Sequence, residues 1–318
     1  MLPCAYAAGD EAALCAGKAD DRARLACYDT LNAVNKDASL VTRGYLARSW
    51  DLDNRDEELT GERQSPLRPH HVTYLIARRS GHANVQPVSP AHAPSSSLAD
   101  VDLSELKFQI SQKAKIFNPV SFDFLGITGA RLWGAYTQQS NWQAFNAGNS
   151  SPFRETNYEP ELIMTLRTVD KYGLKLVNVG YVHQSNGREA NGSRSWNRTY
   201  IQAGLENGTL SVLLRGWWRI PENIANDDNP DIEEYVGRGD ISLRWEPLDH
   251  SQVLDLTLRN NFQARDNRGF VQLDWATPVV VSKSTKLHVQ FTSGYGESLI
   301  DYNFYQNTFG FGVSFRDW

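Results

Sequence analysis

From residue 105 onward the chain obeys one rule: apolar and polar residues alternate with a period of two. In "ELKFQISQK", Leu106, Phe108 and Ile110 stand opposite Lys107, Gln109 and Ser111, a strand with one apolar and one wet face. The pattern returns at Leu162, Met164 and Leu166, and at Val177, Val179 and Tyr181. It returns again at Leu254, Leu256 and Leu258 against Asp255, Thr257 and Arg259, and at Leu287, Val289 and Phe291 against Lys286, His288 and Gln290. Roughly eleven such runs can be counted, with "HHVTYLIAR" around Tyr74 a weaker twelfth. An even number suits a closed antiparallel barrel.

The connections agree with this. "ENGT" reads as a tight Asn-Gly hairpin between Leu205 and Leu210. The long segments "QAFNAGNSSPFRETN", "GREANGSRS" and "PENIANDDNPDIEE" alternate with short turns such as "EPLDHS", the long-outside, short-inside asymmetry of outer-membrane barrels. The last run alternates Phe309, Phe311, Val313 and Phe315 before Trp318, and is similar to the terminal strand of bacterial outer-membrane proteins. The predicted fold is all-β: a twelve-stranded antiparallel transmembrane β-barrel over 67–318, preceded by a short, partly helical N-terminal periplasmic segment and linker over 1–66. Within that segment Leu25 and Leu31 have helical spacing, and "DLDNRDEELTGERQ" reads as solvated chain.

Composition narrows the class. Mean hydropathy is -0.49 and no apolar run is long enough for a membrane helix, which excludes a helical membrane protein but not a barrel, whose strands are half polar. A net charge of -5 without a basic stripe argues against a nucleic-acid partner. Thirteen Tyr, thirteen Phe and nine Trp suit aromatic girdles at a membrane interface or an all-β core. The cysteines sit near the start, and their spacing suggests a disulfide between Cys15 and Cys27 with Cys4 left over. Ala5-Tyr6-Ala7 has the small-residue pattern of a signal-peptidase site, so export is expected. Opposite the apolar rows lie Arg131, Glu159, Glu161, Arg167, Asp240, Arg244, Asp255, Arg259 and Asp274, which either fill the lumen as pairs or line a narrow channel.

One hairpin breaks the rule. In "LVNVGYVHQSN" the apolar row Val177, Val179, Tyr181 continues by twos to His183 and Ser185, so both are expected to face lipid. After the loop, "WNRTYIQAGL" puts Asn197 on the row of Thr199, Ile201 and Ala203, also outward. Polar groups on the lipid face cost free energy unless they are near the interface or used. Neighbours i and i+2 on one face are roughly 7 Å apart at Cα, within reach of an imidazole and a hydroxyl. His183 would take a proton from Ser185, and Asn197 would accept the other imidazole N–H and fix the tautomer. Gln138, in "WGAYTQQS", lies on the outward row of Leu132, Gly134 and Tyr136 at the same strand end, where it is expected to anchor Asn197. His70, His71 and His288 show no ligand spacing and receive no role.

The stretch "HQSNGREANGSRSWNR" resembles the H-x-S-N-G-R…S-R-S-W-N-R signature of bacterial outer-membrane phospholipase A. "YTQQSNW", "SSPFRETNYEPEL", "DDNPDI" and "SGYGESLIDYNF" resemble further blocks of that family, and together they span residues 134 to 304. Dispersed matches of this length are far more specific than a bare H-x-S. The resemblance implies a twelve-stranded barrel in the Gram-negative outer membrane. It implies calcium-dependent hydrolysis of phospholipid acyl esters (phospholipase A1, A2 and lysophospholipase activity), switched on by homodimerisation. By position, Ser185 is the implied nucleophile, His183 its base, Asn197 the orienter and Gln138 the support. The implied Ca²⁺ ligands are the Arg188 carbonyl, the Ser193 hydroxyl and the Ser150 carbonyl of a second subunit, all hard oxygens. The chain departs from the family at Ala190, where an acidic residue can stand, and the loop "NDDNPD" reads as surface. The alternative class is a passive porin-like or structural barrel, with the hairpin's polarity incidental.

Overall fold

The computed structural model describes residues 15–30, 43–53, 67–94, 100–117, 120–279 and 282–315. Among the described residues fourteen strands, β1 (Leu67–Pro69), β2 (Tyr74–Ser80), β3 (Ser104–Lys115), β4 (Val120–Phe124), β5 (Ile127–Trp142), β6 (Phe153–Thr168), β7 (Leu174–Ser185), β8 (Ser195–Asn207), β9 (Leu210–Arg219), β10 (Gly239–Trp245), β11 (Val253–Asn260), β12 (Gly269–Val279), β13 (Ser282–Gly294) and β14 (Gln306–Phe315), form one sheet. Their order is β1-β3-β2-β14-β13-β12-β11-β10-β9-β8-β7-β6-β5-β4, and a further β3–β5 pairing closes it. Two of them are short extensions: β1 (Leu67–Pro69) pairs with the far end of β3 (Ser104–Lys115), and β4 (Val120–Phe124) with the start of β5 (Ile127–Trp142). The other twelve, β2 (Tyr74–Ser80), β3 and β5 to β14 (Gln306–Phe315), make the closed antiparallel barrel that the alternation predicts. Closure removes the sheet edges that would otherwise carry unpaired N–H and C=O groups in a hydrocarbon phase.

The side-chain period holds around the wall. On β6 (Phe153–Thr168), β7 (Leu174–Ser185) and β8 (Ser195–Asn207), the exposed residues Leu162, Tyr181 and Thr199 stand opposite one another, as do Met164, Val179 and Ile201. The alternate residues are buried and polar: Lys107 is 0% exposed, and Glu161, Thr165 and Asn178 are buried among other polar groups. This is the inside-out arrangement of a membrane barrel. The long segments 81–103, 143–152, 186–194, 220–238, 261–268 and 295–305 leave one rim, and turns such as 169–173 and 246–252 leave the other. At the short-turn rim Asn207 pairs with Leu210 across Gly208, whose φ of +61° suits the tight turn.

The lumen is occupied at both ends. At the short-turn end a six-residue helix, α1 (Tyr45–Trp50), buries Leu46 and Trp50 against Trp133, Ile163 and Leu176. Gly204 leaves the room this needs, since a Cβ there would meet the Leu176 side chain at 2.8 Å and Leu46 at 3.1 Å. At the long-loop end α2 (Ile232–Val236) contributes Ile232 and Val236, packed with Leu299, Tyr302, Trp196 and Trp217. Between them lies a polar cavity of about 300 Å³ that includes Glu159, Asp240, Arg244, Asp255, Arg259 and Asp274 in its lining. Of the two expectations for the lumen charges, pairing holds: Arg215 meets Asp240, Arg244 meets Asp255 and Glu246, and Arg78 and Lys107 share Glu297. Cys15 and Cys27 form the expected disulfide, with Cα atoms 5.5 Å apart. Cys4, Leu31, the Ala5-Tyr6-Ala7 pattern and Trp318 lie outside the described residues.

Candidate active site on the outer wall

The β7–β8 hairpin sets the site by register. His183 stands opposite Asn197 and Ser185 opposite Ser195, on the outward face that carries Tyr181 and Thr199 one step below. His183 Nδ1 and Asn197 Oδ1 are 2.9 Å apart. Because an amide oxygen can only accept, the proton sits on Nδ1 and the lone pair on Nε2, which makes no hydrogen bond among the described residues. Ser185 lies two residues along the same face, and its hydroxyl also has no hydrogen-bond partner among the described residues. Asn197 is therefore docked on the His183 ring, with Ser185 next along the same face.

Gln138 departs from expectation. It shares the outer face and the row of Ser185, since Gln138 pairs with Tyr158 and Tyr158 with Ser185. Its side chain bonds Tyr136 (3.1 Å) and Ser140 (3.3 Å), not Asn197. The reason is spacing: β6 and β7 lie between Gln138 and β8, so the two amides are roughly 14 Å apart across three strand intervals. Asn197 is instead braced by the Tyr181 hydroxyl (2.7 Å) and by Glu222, which sequence reasoning missed because it comes from the next long loop.

The 186–194 loop is fixed from within. Buried Asn186 donates to the Gly192 carbonyl (2.8 Å) and accepts from Arg194 N (2.9 Å) and Arg188 N (3.3 Å). Gly187 has φ +62°, and a Cβ there would stand 2.9 Å from the Tyr158 ring. The Arg188 side chain bonds Glu155 and the Arg154 carbonyl, while its own carbonyl accepts no hydrogen bond among the described residues. Ser193 Oγ donates to Asp228 Oδ2 at 2.6 Å, and Asp228 also receives Ser195 Oγ at 3.5 Å and His92 Nε2 at 2.8 Å. The acidic loop is thus more than surface: it brings the Asp228 carboxylate to the Ser193 hydroxyl. Glu189 is exposed and takes no part. Ser150, at φ +59°, is exposed on the 143–152 loop of the same rim. A set of carbonyl, hydroxyl and carboxylate oxygens fits the chemistry of Ca²⁺.

His70, His71 and His288 serve the lumen. His70 and His71 lie with Glu161, their ligand atoms within 4.8 Å of one another. Glu161 is already committed, to His70 Nε2 at 2.9 Å and the Tyr200 hydroxyl at 3.0 Å. His288 pairs with Asp274 at 2.9 Å.

Comparison with known proteins agrees with this fold. The phospholipase A1 family model matches residues 46–315. A phospholipase A1 of Salmonella typhimurium is 36% identical over 79% of this chain and 82% of its own length. The crystal structure of the Salmonella typhi outer membrane phospholipase dimer with bound calcium is similar at a TM-score of 0.69 and 35% identity, covering 80% of this chain and 94% of that one. An active-site mutant of outer membrane phospholipase A from Escherichia coli, in which an asparagine is replaced by alanine, is similar at a TM-score of 0.68 and 35% identity, covering 80% and 95%. The chain belongs to the phospholipase A1 family of Gram-negative outer-membrane barrels.

Proposed function

We propose that this chain is a calcium-dependent outer-membrane phospholipase that uses Ser185, His183 and Asn197 as a triad. Its substrates are the acyl esters of membrane phospholipids, at the A1 and A2 positions and in lysophospholipids. It works as a homodimer, with the N-terminal segment on the periplasmic side up to α1, which sits in the lumen. The observation that carries this reading is the His183–Asn197 hydrogen bond on the lipid-facing wall, with Ser185 on the same face.

The chemistry follows from the donors and acceptors. Asn197 holds the Nδ1 proton, so Nε2 takes the Ser185 proton as Oγ bonds to the acyl carbon. The same nitrogen returns that proton to the departing glycerol oxygen, leaving an acyl-serine and a lysolipid. Water, deprotonated by Nε2, then cleaves the acyl-serine and releases the fatty acid. Arg188 N is committed to Asn186, so the Gly187 N–H is the amide available to the oxyanion. The Arg188 carbonyl, Ser193 hydroxyl and Asp228 carboxylate would hold calcium, with the Ser150 carbonyl arriving from a second subunit. Bound there, calcium would supply positive charge to the developing oxyanion. A neutral orienter spares the cost of placing a carboxylate directly behind the imidazole at a lipid surface.

The porin alternative requires an open lumen, and the apolar plugs at both ends weigh against it. The test is fatty-acid release from detergent-dispersed phospholipid by wild type and Ser185→Ala, with calcium and with excess EDTA. Release is expected only from wild type with calcium, and EDTA should also weaken the dimer. Full activity of Ser185→Ala would end the triad reading, and unchanged rates in EDTA would end the calcium reading.

A further inference from the structure

Asn197 is held on three sides. Its Oδ1 receives His183 Nδ1 at 2.9 Å and the Tyr181 hydroxyl at 2.7 Å, and its Nδ2 donates to Glu222 Oε1 at 3.0 Å. An asparagine amide is nearly symmetric in shape, so its partners decide which end points where. An ionised carboxylate can only accept and therefore selects the Nδ2 end, which leaves Oδ1 for the imidazole. With the amide reversed, Nδ2 would face His183 Nδ1 and drive the ring proton to Nε2. Such a ring could not take the proton of Ser185.

The backbone places Glu222 independently of this contact. β9 (Leu210–Arg219) ends paired with β8 at Arg198 and Arg219, and Ile220 N then donates to the Asn197 carbonyl at 2.8 Å. Pro221 follows, which has no N–H to continue the ladder, and the chain turns out of the sheet with Glu222 half-buried over Asn197. The neighbouring cations are engaged elsewhere: Arg219 meets Asp227 at 2.6 Å, and Arg198 approaches Gln184 and Glu159. Among the described residues Glu222 is therefore not paired with a cation, and its hydrogen-bonding role falls on Asn197.

Resting on the Ser185–His183–Asn197 reading above, the geometry points to Glu222 as a positioning residue for the reaction: its carboxylate fixes the orientation of the Asn197 amide, and through it the tautomer of His183. Nothing in the hairpin motif carries this role, since Glu222 belongs to a different loop.

The test uses the full chain in detergent micelles with calcium and dispersed phospholipid, and follows the labelling of Ser185 by a fluorophosphonate alongside turnover. Glu222→Ala is expected to lower kcat about tenfold, the scale of a lost hydrogen bond to a charged group. KM should stay within about twofold, and labelling should slow by about the same factor as kcat. Glu222→Gln can still offer an acceptor oxygen to Nδ2 but no longer excludes the reversed amide, so both rates should fall between those of wild type and Glu222→Ala. Heat-dependent gel mobility reports the folded barrel for each variant. Wild-type kcat and labelling in Glu222→Ala would overturn the assignment, as would equal losses in the Ala and Gln variants. Ser185→Ala, run in the same series, separates the two levels: activity there removes the triad itself, whereas an inactive Ser185→Ala beside an unimpaired Glu222→Ala removes only the role of Glu222.

Discussion

Polar side chains occupy two regions of this barrel, and they are treated differently. In the lumen they are buried and extensively paired: Arg154 spans Glu105 and Asp301, Arg78 reaches Glu105 and Glu297, and Lys107 bonds Gln290 and Glu297. On the outer wall around β7 and β8 they form a short chain from Glu222 through Asn197 to His183, which stops beside a serine with no hydrogen-bond partner among the described residues. A lumen network that left a group unpaired would cost several kcal/mol, so pairing there is explained by folding alone. A polar row facing lipid gains nothing for the fold. The same residue types therefore read as structure on one side of the wall and as chemistry on the other.

The sharpest way to break that contrast is to cross the readouts. Ser185→Ala or His183→Ala should lower phospholipid turnover by about 10⁴-fold or more, with the unfolding midpoint in denaturant unchanged. Glu297→Ala, from the lumen on the far side of the barrel, should do the reverse. It leaves Arg78 and Lys107 without their shared carboxylate, which should cost about 3–5 kcal/mol of stability while the folded fraction keeps kcat within about threefold. Denaturant titrations read beside initial rates would settle it, and a Ser185→Ala barrel destabilised as much as Glu297→Ala would erase the distinction.

A smaller effect is expected one step back along the outer chain. Asn197→Ala removes the acceptor at Nδ1 but leaves base and nucleophile in place, so kcat should fall roughly ten- to a hundredfold, less than for either of them. A loss equal to that of His183→Ala would mean that Asn197 does more than orient the ring.

How much of this was legible in the chain follows the same division. The barrel was, because alternation decides which side of a wall a residue faces, and the outward register of His183, Ser185 and Asn197 follows from counting by twos. The exposure of Leu162, Tyr181 and Ile201 bears that count out. Contacts between distant segments were not legible. Glu222 lies 25 residues beyond Asn197 and Asp228 lies 35 beyond Ser193, and neither contact has a periodicity to betray it. The helix that enters the lumen, α1, was equally hidden, since "GYLARSW" alone does not say what Leu46 and Trp50 pack against. The pairing of His70 with Glu161 depends on a lumen contact across 91 residues, which spacing rules cannot see.

Gln138 makes the finest test, because counting by twos placed it on the outer face, while its side chain bonds Tyr136 and Ser140 rather than the expected Asn197. Three strand intervals separate it from Asn197, and its amide is engaged by Tyr136 and Ser140 on its own strand. Gln138→Ala should therefore change kcat by no more than about threefold, below the effect of Asn197→Ala, because only local hydrogen bonds worth about 1 kcal/mol each are lost. If its influence runs through subunit contact instead, the loss should appear as a higher protein concentration needed for half-maximal activity, with the maximal rate preserved. Initial rates measured across a dilution series separate the two. A drop in maximal rate of tenfold or more at saturating protein would show that Gln138 acts on the triad, and that the outer-wall chain extends across β6 and β7 rather than ending at Glu222.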